Sequence, residues 1–282
     1  MKLTIIGCGR LGKTLGYLWK KNNLVCIQDI YNASIVSTSS AVTFIGEGTA
    51  CHTLSQFKPA DIYLIATPDD QIEPLCQQLA EQASPKAGSL VFHCSGLHTS
   101  ECLNAVKLLG CYTASLHPLF GFSNPPADVH TFSGSYCSFE GNSKALDCIS
   151  KLIKGIGGQL FMVEKQHKAL YHAASVFASN YLVTLSAIAK DCYKKAGLSN
   201  SLSKTLVHKL MRQSLSRIKL SSDARNALTG PVQRSDKATL KKHLKTLESF
   251  PDLAQVYKSL GKTTVKFTGH HAELKKELEA LF

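Results

Sequence analysis

The stretch KLTIIGCGRLG, residues 2–12, governs how the rest of the chain is read. A short apolar run, Leu3–Ile6, meets three glycines in the order G-x-G-x-x-G, and a helix-like segment follows over Gly12–Lys21. The motif alone is a weak signal, because glycine-rich turns are common. Here a strand precedes it, an amphipathic helix follows, and a second apolar run, Leu24–Ile27, lies close behind. Glycines permit the tight turn and let backbone amides approach a pyrophosphate at the positive end of the helix dipole. A dinucleotide site is therefore expected at Gly7, Gly9, Arg10, Leu11 and Gly12. Asp29, at the expected end of the second strand, is placed to accept the ribose hydroxyls of NAD. Asn32 and Ser34 suit either NAD or NADP, and the preference is left open.

Apolar runs recur at Val42–Ile45, Ile62–Ala66, Leu90–Phe92, Tyr112–Leu116, Tyr136–Phe139 and Leu160–Val163. Helix-like segments such as Ile72–Gln82 and Ser143–Ile156 separate several of them. Short strands with helical crossovers predict an α/β fold with a doubly wound, mostly parallel sheet. After about Glu164 the pattern is helical only, beginning with one long apolar helix over roughly Lys168–Ala196. The expected organisation is a dinucleotide-binding domain over 1–164 and an all-α substrate or dimerisation domain over 165–282.

The composition, 44% hydrophobic and 18% charged, is that of a globular chain and excludes extended disorder. The apolar run at the N-terminus is too short for a signal peptide, and the stretch Tyr171–Ala189 carries too many polar groups for a lipid-facing span. A cytoplasmic protein without a membrane partner is expected. Ten cysteines occur singly with no C-x-x-C pair, so neither disulfides nor a metal site is expected. Residues 165–282 hold 21 Lys+Arg against 8 Asp+Glu, which favours an anionic ligand or is simply a solvated lysine-rich surface. The basic residues show no aromatic interleaving, so no specific nucleic-acid partner is expected.

In open parallel sheets, ligands bind beyond the carboxyl ends of the strands. Those ends read Thr67-Pro68-Asp69, His93-Cys94-Ser95-Gly96 and His117-Pro118. Thr67 and Pro68 fall on the cofactor side, and Ser95 and His117 toward a substrate. Lys168, His172, Ser175 and Ser179, spaced 4, 3 and 4 apart, share one stripe of the long helix and face either protein groups or a ligand. Gly230-Pro231 breaks the helical pattern and presents Thr229, Arg234 and Asp236. Arg234 suits a substrate carboxylate and Asp236 suits the N-cap of the next helix.

Six segments in this order, GCGRLG, IATPDD, HCSG, SLHPLFGF, YHAASVFASNYLV and ALTGPVQRSD, resemble the Rossmann-like proteins carrying a C-terminal domain of unknown function 2520. These group with the 6-phosphogluconate dehydrogenase-like and ketopantoate reductase-like enzymes. The resemblance implies a nicotinamide-dependent oxidoreductase, NADP or NAD, whose helical domain forms a homodimer. Such proteins often read N-R-S after the second strand, where this chain reads Asn32-Ala33-Ser34. The related β-hydroxyacid dehydrogenases carry K-x-x-x-N; if Asn180 is that asparagine, Val176 stands in the lysine position. HPLFG is similar to the H-P-M-F-G segment of prephenate dehydrogenases, whose histidine lies beside the reacting hydroxyl.

The expected activity is hydride transfer between nicotinamide and a small, anionic, carboxylate-bearing carbonyl, imine or hydroxy compound. His117 is the expected acid/base, His172 and Asn180 orient the reacting oxygen, and Ser95, Ser179, Thr229 and Arg234 bind substrate. The alternative is a dinucleotide-binding sensor without turnover.

Overall fold

The computed structural model describes residues 1–282, which divide into two compact units, Met1–Phe177 and Ala178–Phe282. The first holds an eight-stranded sheet of β1 (Lys2–Ile6), β2 (Cys26–Tyr31), β3 (Thr49–Cys51), β4 (Ile62–Ile65), β5 (Leu90–His93), β6 (Tyr112–Pro118), β7 (Tyr136–Gly141) and β8 (Gln159–Met162). Their spatial order is β3-β2-β1-β4-β5-β6-β7-β8. All pairs are parallel except β6 with β7.

Helices cover both faces, which is why the central strands are apolar at consecutive positions. Leu64 belongs to one core cluster while Tyr63 and Ile65 belong to the other, and Phe92 and Val91 divide the same way. On the first face, α1 (Arg10–Lys21) and α2 (Ile35–Ile45) lie with α5 (Pro125–Thr131) and α6 (Ser143–Lys154). The Trp19 indole donates to the Leu152 carbonyl at 3.1 Å, tying α1 to α6. The opposite face carries α3 (Ile72–Gln82) and α4 (Asn104–Leu108).

Three sequence expectations change here. Val42–Ile45 is the last turn of α2, and not a strand. Its β-branched run is deceptive, because the inward residues Thr38, Ala41 and Ile45 follow helical spacing and Gly46 closes the helix in the left-handed region. The long helix is also interrupted at Ser179, giving α7 (Lys168–Ala178) and α8 (Asn180–Lys195). Nor is it buried throughout: Leu170, Phe177 and Val183 are 74%, 69% and 68% exposed. The units divide after Phe177, beyond the 164/165 boundary expected from the change in pattern. The start of α7 is bonded to the strand ends of the first unit.

The second unit contains α8, α9 (Asn200–Leu220), α10 (Lys237–Leu247), α11 (Pro251–Phe267) and α12 (Ala272–Glu279). Its buried cluster consists of Val232, Leu240, Val265 and Leu278. No helix of the chain is long and apolar enough to cross a membrane.

Candidate active site

The loop between β1 and α1 turns at Gly7, whose φ of +85° lies in the left-handed region. A Cβ at Gly7 would stand 2.3 Å from Thr67 Cγ2 and 2.9 Å from the Ala66 carbonyl carbon, so only glycine lets this loop pass against β4. At Gly9 a Cβ would meet no protein atom within 4 Å. α1 starts after Gly9 with no side-chain cap and no acidic residue in its first turn, leaving first-turn amides without side-chain competition.

These features border a cleft of about 790 Å3 lined by Gly7, Gly9, Arg10, Asn32, Thr67 and Pro68 from the expected set. It also includes Lys13, Tyr31, Ala33 and Ser37, which the sequence reading did not select. Thr67 Oγ1 is buried without a hydrogen-bond partner. An uncapped helix N-terminus, an orphaned hydroxyl and a glycine with open space before it fit a dinucleotide phosphate.

Other expected cofactor residues serve the scaffold. Gly12 packs against the Gly7 carbonyl, and Leu11 packs against the core. Ser34 precedes α2 without making a side-chain cap. Asn32 lines the cleft while its Oδ1 accepts the Cys8 amide, shaping the loop. Asp29 is a clear correction: it is 0% exposed, and its Oδ2 accepts the Lys58 amide at 2.8 Å. The sequence reading ends the second strand at Asp29, but β2 continues to Tyr31, which puts Asp29 inside the strand and Tyr31-Asn32 at the rim. No carboxylate lines the cleft, whereas two cations, Arg10 and Lys13, do.

Further along the rim, three strand ends are knitted together. Ser95 Oγ donates to Asp69 Oδ2 at 2.8 Å and accepts the amides of Leu97 and His98. Its single proton is thus engaged, and Ser95 shapes the turn in place of the expected substrate contact. His93 is buried; its Nδ1 accepts the Ser95 amide and its Nε2 donates to the Thr99 carbonyl. Burial pushes its pKa down to about 4. The unfolded chain therefore takes up this proton first, and stability is lost as pH falls from 6.5 to 4, by about 3 kcal/mol. Denaturant midpoints across that range should fall less steeply in His93→Asn than in the wild type; equal slopes would contradict this role.

Lys168, 2% exposed, is the group that the sequence reading undervalued. Its Nζ donates to the Ser95 carbonyl at 3.2 Å and to Ser115 Oγ at 2.5 Å, clamping the loop after β5 onto β6. Burial lowers its pKa, and the nearby Glu140 opposes that shift. Lys168 lies two turns before Val176 on α7 and four residues before His172. Ser175 bonds back to the Tyr171 carbonyl within α7, which settles that part of the stripe as structural.

His117, at the end of β6, has Nδ1 2.9 Å from the Tyr171 hydroxyl. The His117 and His172 rings are 5.8 Å apart, nearly perpendicular. Gly96 lies against both: a Cβ there would come within 2.5 Å of His172 Cδ2 and 3.0 Å of His117 Nε2. Burial, followed by His172 and Lys168, pushes the His117 pKa down to about 4, against Asp69. His117 is thus neutral at pH 7, unlike the titrating acid/base expected from its ordinary pKa. Tyr171 is the partner that the sequence reading missed; its place one residue before His172 offered no helical-stripe signal.

The remaining expected residues, Ser179, Asn180, Thr229 and Arg234, belong to the second unit and are exposed. Asp236 caps α10 as expected, accepting the Thr239 amide at 3.0 Å.

Two family models match the chain. Residues 1–118 match a Rossmann-like domain and residues 135–264 match a domain of unknown function, DUF2520. The chain is a Rossmann-like protein with a DUF2520 region. The DUF2520 match begins at the edge of β7 and so includes β7, β8 and α7. No curated protein matches the sequence. Solved structures share the fold over nearly the whole chain. A candidate NADP oxidoreductase of Bacteroides fragilis is 18% identical, with a TM-score of 0.75 over 93% of this chain and 97% of that one. A protein of Thermotoga maritima is 24% identical, with a TM-score of 0.70 over 99% and 98%. Pyrroline carboxylate reductase of Plasmodium falciparum with NADP bound is 16% identical, with a TM-score of 0.59 over 100% and 98%.

Proposed function

We propose that the chain is a nicotinamide-dependent oxidoreductase acting on a small, carboxylate-bearing carbonyl, imine or hydroxy compound. The observation that carries this reading is the continuity of the rim. Thr67 and Pro68 line the phosphate cleft, and the next residue, Asp69, bonds to Ser95. Beside Ser95 stands Gly96, against which the His117 and His172 rings lie. Cleft and His117 thus belong to the carboxyl rim of one sheet, to which α7 brings His172. The names of the similar structures, an NADP oxidoreductase and a reductase with NADP bound, support the same cofactor class.

A bound nicotinamide dinucleotide supplies or accepts a hydride. Gly7, Gly9 and the first turn of α1 would hold its phosphates, with Thr67 as a further donor. His117 and His172 would face the reacting group, while Lys168 and Asp69 hold the loop between them in place.

NADP is the preferred form in this reading. A carboxylate that would accept ribose hydroxyls is lacking in the cleft, and Arg10, Lys13 and Ser37 offer donors for a 2′-phosphate. Arg10→Ala should weaken NADPH about tenfold, the scale of one charged hydrogen bond, and leave NADH within about twofold. Equal weakening of both in calorimetric titrations would contradict the assignment.

The activity is tested by following NADPH consumption with a panel of 2-oxo acids and cyclic imino acids, and NADP reduction with 2-hydroxy acids. Turnover with one class supports the oxidoreductase. Tight dinucleotide binding without turnover on any member would favour the sensor. The exposed apolar side chains of the second unit, such as Val183, Leu210 and Leu215, support the homodimer, which light scattering tests; a monomer would contradict it.

A further inference from the structure

His117 has two ring nitrogens in different surroundings. Nδ1 lies 2.9 Å from the Tyr171 hydroxyl. Nε2 borders the space that Gly96 keeps open and has no hydrogen-bond partner in the protein. The Tyr171 ring is held edge-on by Phe161 at 6.0 Å and by His117 itself at 5.7 Å. Near the phenol stands Ser138, opposite His117 in the β6–β7 register.

The phenol has one proton and one hydrogen-bonded partner, the imidazole nitrogen. A phenol is a much stronger acid than a neutral imidazole N–H, and an unprotonated imidazole nitrogen is a stronger base than a phenol oxygen. The strongest pairing sends the phenol proton to Nδ1. Nδ1 then carries no proton, so the proton of the neutral ring must sit on Nε2.

We propose that Tyr171 is a positioning residue that fixes His117 as its neutral Nε2–H tautomer, making His117 a hydrogen-bond donor to a carbonyl or carboxylate oxygen of the substrate. The assignment of a substrate to this space rests on the oxidoreductase reading; the tautomer itself does not.

The groups around His117 act together to keep it neutral. On α7, Lys168 and His172 disfavour a second proton, as does burial; Asp69, following β4, favours it without overcoming them. Tyr171 has its own pKa raised by burial, so it remains a protonated donor. His117 thus adds no inflection to the kcat profile between about pH 5 and 8, where an imidazolium acid would.

The test is nitrogen-15 spectroscopy of the full chain with labelled histidine, His117 being assigned by its loss in His117→Gln. The expected wild-type spectrum shows unprotonated Nδ1 and protonated Nε2 at pH 7, without substrate. Tyr171→Phe should release the ring into mixed tautomers and lower kcat about tenfold, the worth of one hydrogen bond, with dinucleotide Kd within about twofold. A proton on Nδ1 in the wild type, an imidazolium at pH 7, or an unchanged tautomer in Tyr171→Phe would each overturn the proposal. The wild-type spectrum decides the tautomer even if the variant folds poorly. Dinucleotide titration of the same samples tests the oxidoreductase reading separately, so failure of one is not mistaken for failure of the other.

Discussion

His117→Ala is expected to lower kcat/KM about 10²–10⁴-fold, the range for loss of a group acting on the reacting atoms, while dinucleotide affinity stays within about twofold. The split follows from the geometry. His117 closes β6, two strands away from β4 and three from β1, the strands that lead into the phosphate cleft. Its hydrogen bond is to Tyr171, and that contact is worth about 1 kcal/mol, so the variant should remain folded. His172→Ala should share the kinetic phenotype, because its ring borders the same space above Gly96. Full turnover in both variants would remove the imidazole pair from the reaction. Loss of dinucleotide binding in either would show that the two ends of the rim are not separable.

A second large effect is expected at the glycine loop. Gly7→Ala should weaken dinucleotide binding about 100-fold. A left-handed backbone costs an L-residue about 1–2 kcal/mol, and moving the loop off the Ala66 carbonyl adds about 1–3 kcal/mol. The protein should also lose thermal stability, since the same Cβ strikes Thr67 and the backbone of β4's end. Gly9→Ala is the comparison that separates scaffold from site. Its Cβ meets no protein atom within 4 Å, so its smaller stability loss should accompany a similar loss of binding. Unaltered NADPH affinity in both variants would place the ligand elsewhere.

Much of this architecture was legible because periodicity and glycine spacing are local signals. The β1 run, the glycines and α1 appeared in the right order, and His117 was readable as a polar residue ending an apolar strand. What misled were features decided by tertiary pairing. Asp29 looked like a rim residue only while β2 was cut short; pairing with β1 and β3 carries the strand on to Tyr31. Val42–Ile45 has strand-like composition but is packed as a helix through Thr38, Ala41 and Ile45. Lys168 appeared to be one polar residue of a stripe, and only the crossing of α7 over Ser95 and Ser115 makes it a buried clamp. Tyr171 lay off that stripe, yet it faces His117 because the start of α7 sits against β6 and β7.

The most direct test of the central claim is a calorimetric titration of the full chain with NADPH and NADH at fixed salt. A dinucleotide-dependent enzyme with a carboxylate-free cleft should bind NADPH saturably, one per chain, and more tightly than NADH. Absence of saturable binding by either dinucleotide would contradict the account.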